Sequence, residues 1–157
     1  NAGLKATPLS LVPFLVSFGI FPSLATLSAP VPQTAAVWAS FAGAMLGAAV
    51  HLTNVLPDLE DDRRTGVRGL PHRIGPSASV VLAVAGIVIA AIAVLVGSLI
   101  EGAAPAVMAL FAVAVIVIAG AVMIRMRRRG ADRTGFRLVM GAALVLALQL
   151  VVASGTA

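Results

Sequence analysis

The chain has 157 residues, of which 60% are hydrophobic and 11% charged, with a mean hydropathy of +1.07. A soluble domain carries about 25% charged residues, so this composition excludes a water-soluble enzyme and points to a polytopic helical membrane protein. There is no cysteine and hence no disulfide, and the formal charge of +5 does not mark a nucleic-acid binder, because the basic residues are few, lie in short loops and have almost no aromatic companions.

A membrane span needs about 20 apolar residues, and five stretches qualify: 9–27, 34–56, 79–100, 103–124 and 136–153. Pro13 and Pro22 lie in the first and are expected to kink it. The second begins near Trp38, placed as an interfacial aromatic would be. It carries Gly43 and Gly47 as a GxxxG pair that lets another helix approach closely. A connection over 57–78 comes next, holding most of the acidic residues. His72 lies within it and is expected to be solvated. The fifth span is short, and its Gln149 is expected to hydrogen-bond within the bundle. No signal-peptide pattern is visible. The chain opens at Asn1 close to an apolar run, as a piece of a longer protein would.

Charge sets the orientation. Lys5 precedes the first span; Arg63, Arg64, Arg68 and Arg73 lie in the second connection. Arg125, Arg127, Arg128, Arg129, Arg133 and Arg137 lie in or border the fourth. These are all 11 basic residues, and five alternating spans put every one of them on the same side. The positive-inside rule makes that side cytoplasmic. The run from Arg125 to Arg129 reads as a topology anchor on anionic lipid.

The segment from Asn54 to Arg68, NVLPDLEDDRRTGVR, concentrates the chemistry. Asp58, Glu60, Asp61 and Asp62 fall within five positions, and the only other acids are Glu101 and Asp132. If the second helix continues to about Thr65, where Gly66 can end it, a helical wheel puts His51, Asn54, Asp61, Asp62 and Thr65 within about 60° of Asp58. Glu60 and Arg64 point away, at the spacing of an exposed i, i+4 ion pair. Carboxylates gathered on one face at a membrane boundary repel, and need a cation or nearby arginines to compensate. One reading is a solvated turn of mixed charge. The other is a Mg²⁺ site in which Asp58 and Asp62 are metal ligands, because Mg²⁺ takes one or two carboxylates and fills its remaining positions with water and phosphate oxygens. Asn54 and Asp61 could then orient the ligands, and Arg68 and Arg73 could meet phosphate directly. His51 reads as a polar helix-end residue whose place on this face leaves a role in acceptor binding open.

Asn54, Asp58-x-x-x-Asp62, Gly66, Arg68 and Gly75 resemble the second aspartate-rich motif of the UbiA superfamily of intramembrane prenyltransferases. The stretch Gly3 to Pro8, GLKATP, is similar to the one preceding the family's fifth helix, although Ala6 stands where many relatives carry a second cation. The resemblance covers essentially the whole chain, as the last five of nine helices in an all-α bundle. It implies Mg²⁺-dependent transfer of a prenyl group from an allylic diphosphate to a lipophilic acceptor, often aromatic. Catalytic roles would fall to Asp58, Asp62 and Arg68, with Asn54, Asp61 and Lys5 in the diphosphate and Mg²⁺ environment. The superfamily also has an N-D-x-x-D motif in its first half. No acidic residue precedes Asp58 here, so four upstream helices are expected to supply that motif, and residues 1–157 alone are expected not to turn over.

Two other functions compete. A transporter or channel half, with Asp58 to Asp62 as an ion-binding mouth, would place ionisable groups near the bilayer midplane; the central parts of all five spans have none. A phosphatidyl-group transferase would need D-G-x-x-A-R ahead of its paired aspartates, and that motif is missing.

Overall fold

The structure is a computed structural model and describes residues 3–130 and 133–156. Every regular element among them is helical: α1 (Val12–Leu27), α2 (Val37–Val55), α3 (Leu59–Arg64), α4 (Leu70–Ile100), α5 (Pro105–Arg129) and α6 (Arg133–Thr156). Single 3-10 turns, Pro8–Leu11 and Leu56–Asp58, precede α1 and join α2 to α3. Asp132 lies outside the described residues.

Among the described residues, four helical segments are long and apolar enough to cross a membrane: Pro8–Leu27, Val37–Arg64, Leu70–Ile100 and Pro105–Arg129. The last helix, α6, runs over Arg133–Thr156, about 36 Å at ~1.5 Å per residue, against a hydrocarbon core about 30 Å thick. The chain is a multi-pass helical membrane bundle.

Lipid tails are as apolar as leucine, so close packing rather than escape from water holds such helices together. The central helix is α2, packed against α1 on one side and α4 on the other, with α5 and α6 completing the bundle. Its seams are built from small residues. Ala42 and Ala49 of α2 and Ala83 and Ala90 of α4 are fully buried. A Cβ added at Gly86 would come within 3.0 Å of the Met45 carbonyl oxygen. Ile87, Val94, Val115, Val122, Val139 and Leu146 fill the wider part of the core. Leu82, Ile89, Ile92 and Val96 on α4, and Leu110, Ile116 and Val117 on α5, are exposed on the outside of these helices.

The two prolines of the first span behave differently. Pro13 is the second residue of α1, where its missing N–H would be unpaired in any helix, so it initiates α1 rather than kinking it. Pro22 is interior and deprives the Phe18 carbonyl of its helical donor. That carbonyl faces Gly43: a Cβ there would collide with Phe18 O, and one at Gly47 would collide with Phe14 O. The GxxxG pair therefore serves the close α1–α2 contact.

The connection expected over 57–78 is mostly helical. Gly66, at φ 82°, ends α3 in a Schellman turn: Val67 N–H donates to Asp62 O (2.9 Å) and Gly66 N–H to Arg63 O (3.3 Å). Inside α4, Gly75 adopts φ 83°, ψ 167°, which separates a short leading segment from the long span that Pro76 opens. Ser79 Oγ donates to Gly75 O at 2.8 Å and secures the break.

Candidate functional site

The charged segment, the chain start and the ends of α2 and α5 meet at one end of the bundle. Ser10 organises the meeting. Its side chain is buried, its Oγ accepts the N–H of Leu70 at 3.0 Å, and it lies 3.1 Å from His51 Nε2. Gly69, the residue before α4, sits so close that an added Cβ would fall 2.8 Å from Lys5 O and 2.9 Å from Ser10 Oγ. His51 is 6% exposed and tilts against Phe14 at a ring-centroid distance of 4.5 Å. Its Nδ1 is buried without a hydrogen-bond partner among the described residues.

The 3-10 turn at Leu56–Asp58 interrupts the helical wheel assumed from the sequence. His51 on one side of the turn is buried, whereas Asn54, Asp58 and Asp61 are exposed and Asp62 is half-buried. Lys5 and Arg68 are exposed as well. Glu60 points away from the aspartates and pairs with Arg64 (3.8 Å) and Arg63 (3.7 Å). All three side chains are more than half exposed, so these pairs contribute little to stability.

The Schellman turn at Gly66 brings the chain back so that the first turn of α4 faces α3. His72, expected to be solvated, has a side chain only 3% exposed, with Nε2 at 3.5 Å from Asp62 Oδ2. A cavity of about 410 Å³ opens here, lined by Arg63, Arg68, His72 and Arg73. Arg73 Nε donates to Arg68 O at 3.3 Å, which fixes one arginine beside the other. Sequence spacing singled out Arg68 and Arg73. It missed Arg63, assigned to no role, and it missed the burial of His72; the one available signal was a histidine shortly after a glycine able to reverse the chain. A second cavity of about 570 Å³, apolar apart from its rim, lies between the α2–α3 junction, α4 and the end of α5, with Leu56, Leu59, Val80, Met123, Met126 and Arg127 in its wall.

Among the described residues, no three His, Asp or Glu side chains converge into a ready-made metal cage. A Mg²⁺ ion asks for less: one or two carboxylates, with water and phosphate oxygens completing the shell. Asp58 is exposed and Asp62 half-buried; both are hard oxygen donors of the kind such an ion takes, and Asp62 reaches the arginine cavity through His72.

At the opposite end, α4 closes in another Schellman turn, with Ala103 N–H donating to Ser98 O (2.9 Å) and Gly102 N–H to Leu99 O (3.2 Å). Gln149 is fully buried, its Nε2 3.8 Å from Met108 Sδ.

No curated protein and no solved structure matches the chain. The model of the UbiA prenyltransferase family matches residues 2–152.

Proposed function

The chain belongs to the UbiA prenyltransferase family, and from that premise we propose that it transfers a prenyl group from an allylic diphosphate to a lipophilic, membrane-associated acceptor. A prenyltransferase-type activity follows from the family; the substrates, the cation and the roles of individual residues are our reading. The observation that supports it is the approach of Asp62, on the aspartate-bearing helix α3, to His72 in the wall of the cavity of Arg63, Arg68 and Arg73.

Enzymes of this family generally use Mg²⁺, and in our reading Asp58 and Asp62 hold it, with Asn54 and Asp61 in the surrounding shell. Bound there, the ion would neutralise charge on the diphosphate and make it a better leaving group. The protein's own residues do the rest. Arg68 and Arg73 present donors to the diphosphate oxygens, bidentate where geometry allows, and Lys5 adds a cation from the chain start. Because these groups are held by the fold, they stabilise the leaving charge without reorganising as it develops. The apolar helices keep the prenyl chain and the cationic allylic carbon away from water. The arginine-bearing end faces the cytoplasm of a cell membrane in this reading. No acidic residue precedes Asp58, so the facing aspartate motif belongs to helices outside residues 1–157, and the activity requires both.

The test uses the full-length protein in native membranes with labelled geranyl, farnesyl and geranylgeranyl diphosphates, with and without EDTA. Diphosphate release that needs Mg²⁺ and disappears in Asp62→Asn supports the proposal. EDTA-resistant release, or release unchanged in Asp62→Asn, refutes the assignment of the cation and its ligand.

A further inference from the structure

We propose that His72 is a positioning residue for Asp62, holding that carboxylate against the arginine cavity so that the cation and anion halves of the site stay in register. The inference rests on the reading of Asp62 as a metal ligand.

Four observations carry it. His72 is almost completely buried although it belongs to a connection rich in exposed charge: its side chain is 3% exposed, against 54% for Arg63 and 73% for Arg64 nearby. Its Nε2 is 3.5 Å from Asp62 Oδ2, about 0.3 Å beyond the usual N–H···O range, so a small rotation of either side chain closes a hydrogen bond. Neither ring nitrogen has another hydrogen-bond partner among the described residues, and a buried polar atom without one is costly; Asp62 is the partner within reach. Finally, His72 also lines the cavity of Arg63, Arg68 and Arg73, so one ring touches both halves of the site.

The local structure explains how the ring is held. Pro71 beside it is fully buried and fixes the first turn of α4. The Leu70 N–H is tied to Ser10 Oγ, and Gly69 lies so close to Ser10 and Lys5 that no side chain fits there. The imidazole is therefore anchored to the bundle, while Asp62 sits on α3, a helix of six residues with no buried side chain. A rigid donor facing a carboxylate on a marginal helix sets the orientation of the carboxylate. Such support around a metal ligand typically contributes about 10- to 100-fold to metal affinity.

The experiment is a Mn²⁺ titration of the full-length protein in nanodiscs, monitored by electron paramagnetic resonance with inorganic diphosphate present, on wild type, His72→Leu, His72→Gln and Asp62→Asn. His72→Leu keeps the bulk and loses the donor, and should weaken Mn²⁺ binding about 10- to 100-fold. His72→Gln restores an N–H and should recover most of that loss. Wild-type affinity in His72→Leu, with binding lost in Asp62→Asn, overturns the positioning role and leaves the carboxylate assignment standing. Equal weakening in the Leu and Gln variants also overturns it, since packing alone would then be at work. Unchanged binding in Asp62→Asn removes the premise and the proposal with it. If the variants do not fold, ¹⁵N-histidine resonances of the wild type decide: the His72 signal shifts on adding Mg²⁺ with diphosphate if the ring supports a ligand, and an unmoved signal refutes the role.

Discussion

The indole of Trp38 lies directly on the backbone of Gly97. A Cβ built at Gly97 would penetrate the ring, and the indole Nε1 donates to Glu101 Oε1 at 2.9 Å. The start of α2 and the end of α4 are thus joined by one flat side chain that needs a glycine beneath it and an acceptor one turn away. Glu101, isolated in the sequence, serves as that acceptor.

Gly97→Ala should destabilise the bundle by about 1–3 kcal/mol, the usual cost of overpacking, by lifting the ring and breaking its hydrogen bond. Trp38 is the sole tryptophan of residues 1–157, so its fluorescence checks the displacement, and a thermal melt in detergent checks the stability.

Gly43→Ala and Gly47→Ala should each loosen α1 from α2, because the new methyl meets a carbonyl of α1 that cannot withdraw. Gly120→Ala is the control. It meets nothing within 4 Å and sits in the interior of α5, where alanine is the better helix former by about 1 kcal/mol. Melting temperatures should fall for the first two variants and hold or rise for the third.

Asp58→Asn and Asp62→Asn should each lower prenyl transfer by about 100-fold or more, the scale of losing one preorganised electrostatic group. Glu60→Gln should leave it nearly unchanged, because Glu60 is engaged with Arg63 and Arg64 on the exposed side. Initial rates of labelled product formation in the full-length protein distinguish the three. A defect in Glu60→Gln as large as that of Asp62→Asn would show that the sorting of charges around α3 has no functional meaning.

Arg68→Gln and Arg73→Gln should raise KM for the prenyl diphosphate by about 10-fold or more, since a hydrogen bond to a charged group contributes about 1.5–3 kcal/mol. Steady-state kinetics over a range of diphosphate concentrations provide the measurement, and an unchanged KM in both variants removes the cavity from substrate binding.

Much of the bundle was legible because its determinants are local. Runs of apolar residues mark the helices, Gly66 marks the end of α3, and the spacing of Glu60 and Arg64 foretells their ion pair. The contacts that shape the site were not legible, because they join residues distant in sequence. His51 meets Ser10 across 41 positions, and nothing in the spacing of either residue encodes that pairing. The burial of His72 depends on how the Gly66 turn directs the chain, and Asp62 lies in another helix. The helical wheel itself failed at Pro57, where a 3-10 turn rotates α3 relative to His51 and Asn54. Pro13 shows a related limit: proline at the second position of a helix and proline in its middle look alike until the start of the helix is known.

Gly75 has a mechanical consequence. It separates the leading turn of α4, which carries His72 and Arg73, from the long segment that crosses the bilayer. A span longer than the local hydrocarbon thickness tilts to fit, and a continuous rod would swing its leading tip by several ångströms for a tilt of about 20°. The break at Gly75, closed by the Ser79 bond to its carbonyl, gives the leading turn a direction of its own, tied to Ser10 through the Leu70 N–H. The charge-bearing corner of the molecule is thereby set by that tie rather than by the axis of the long helix.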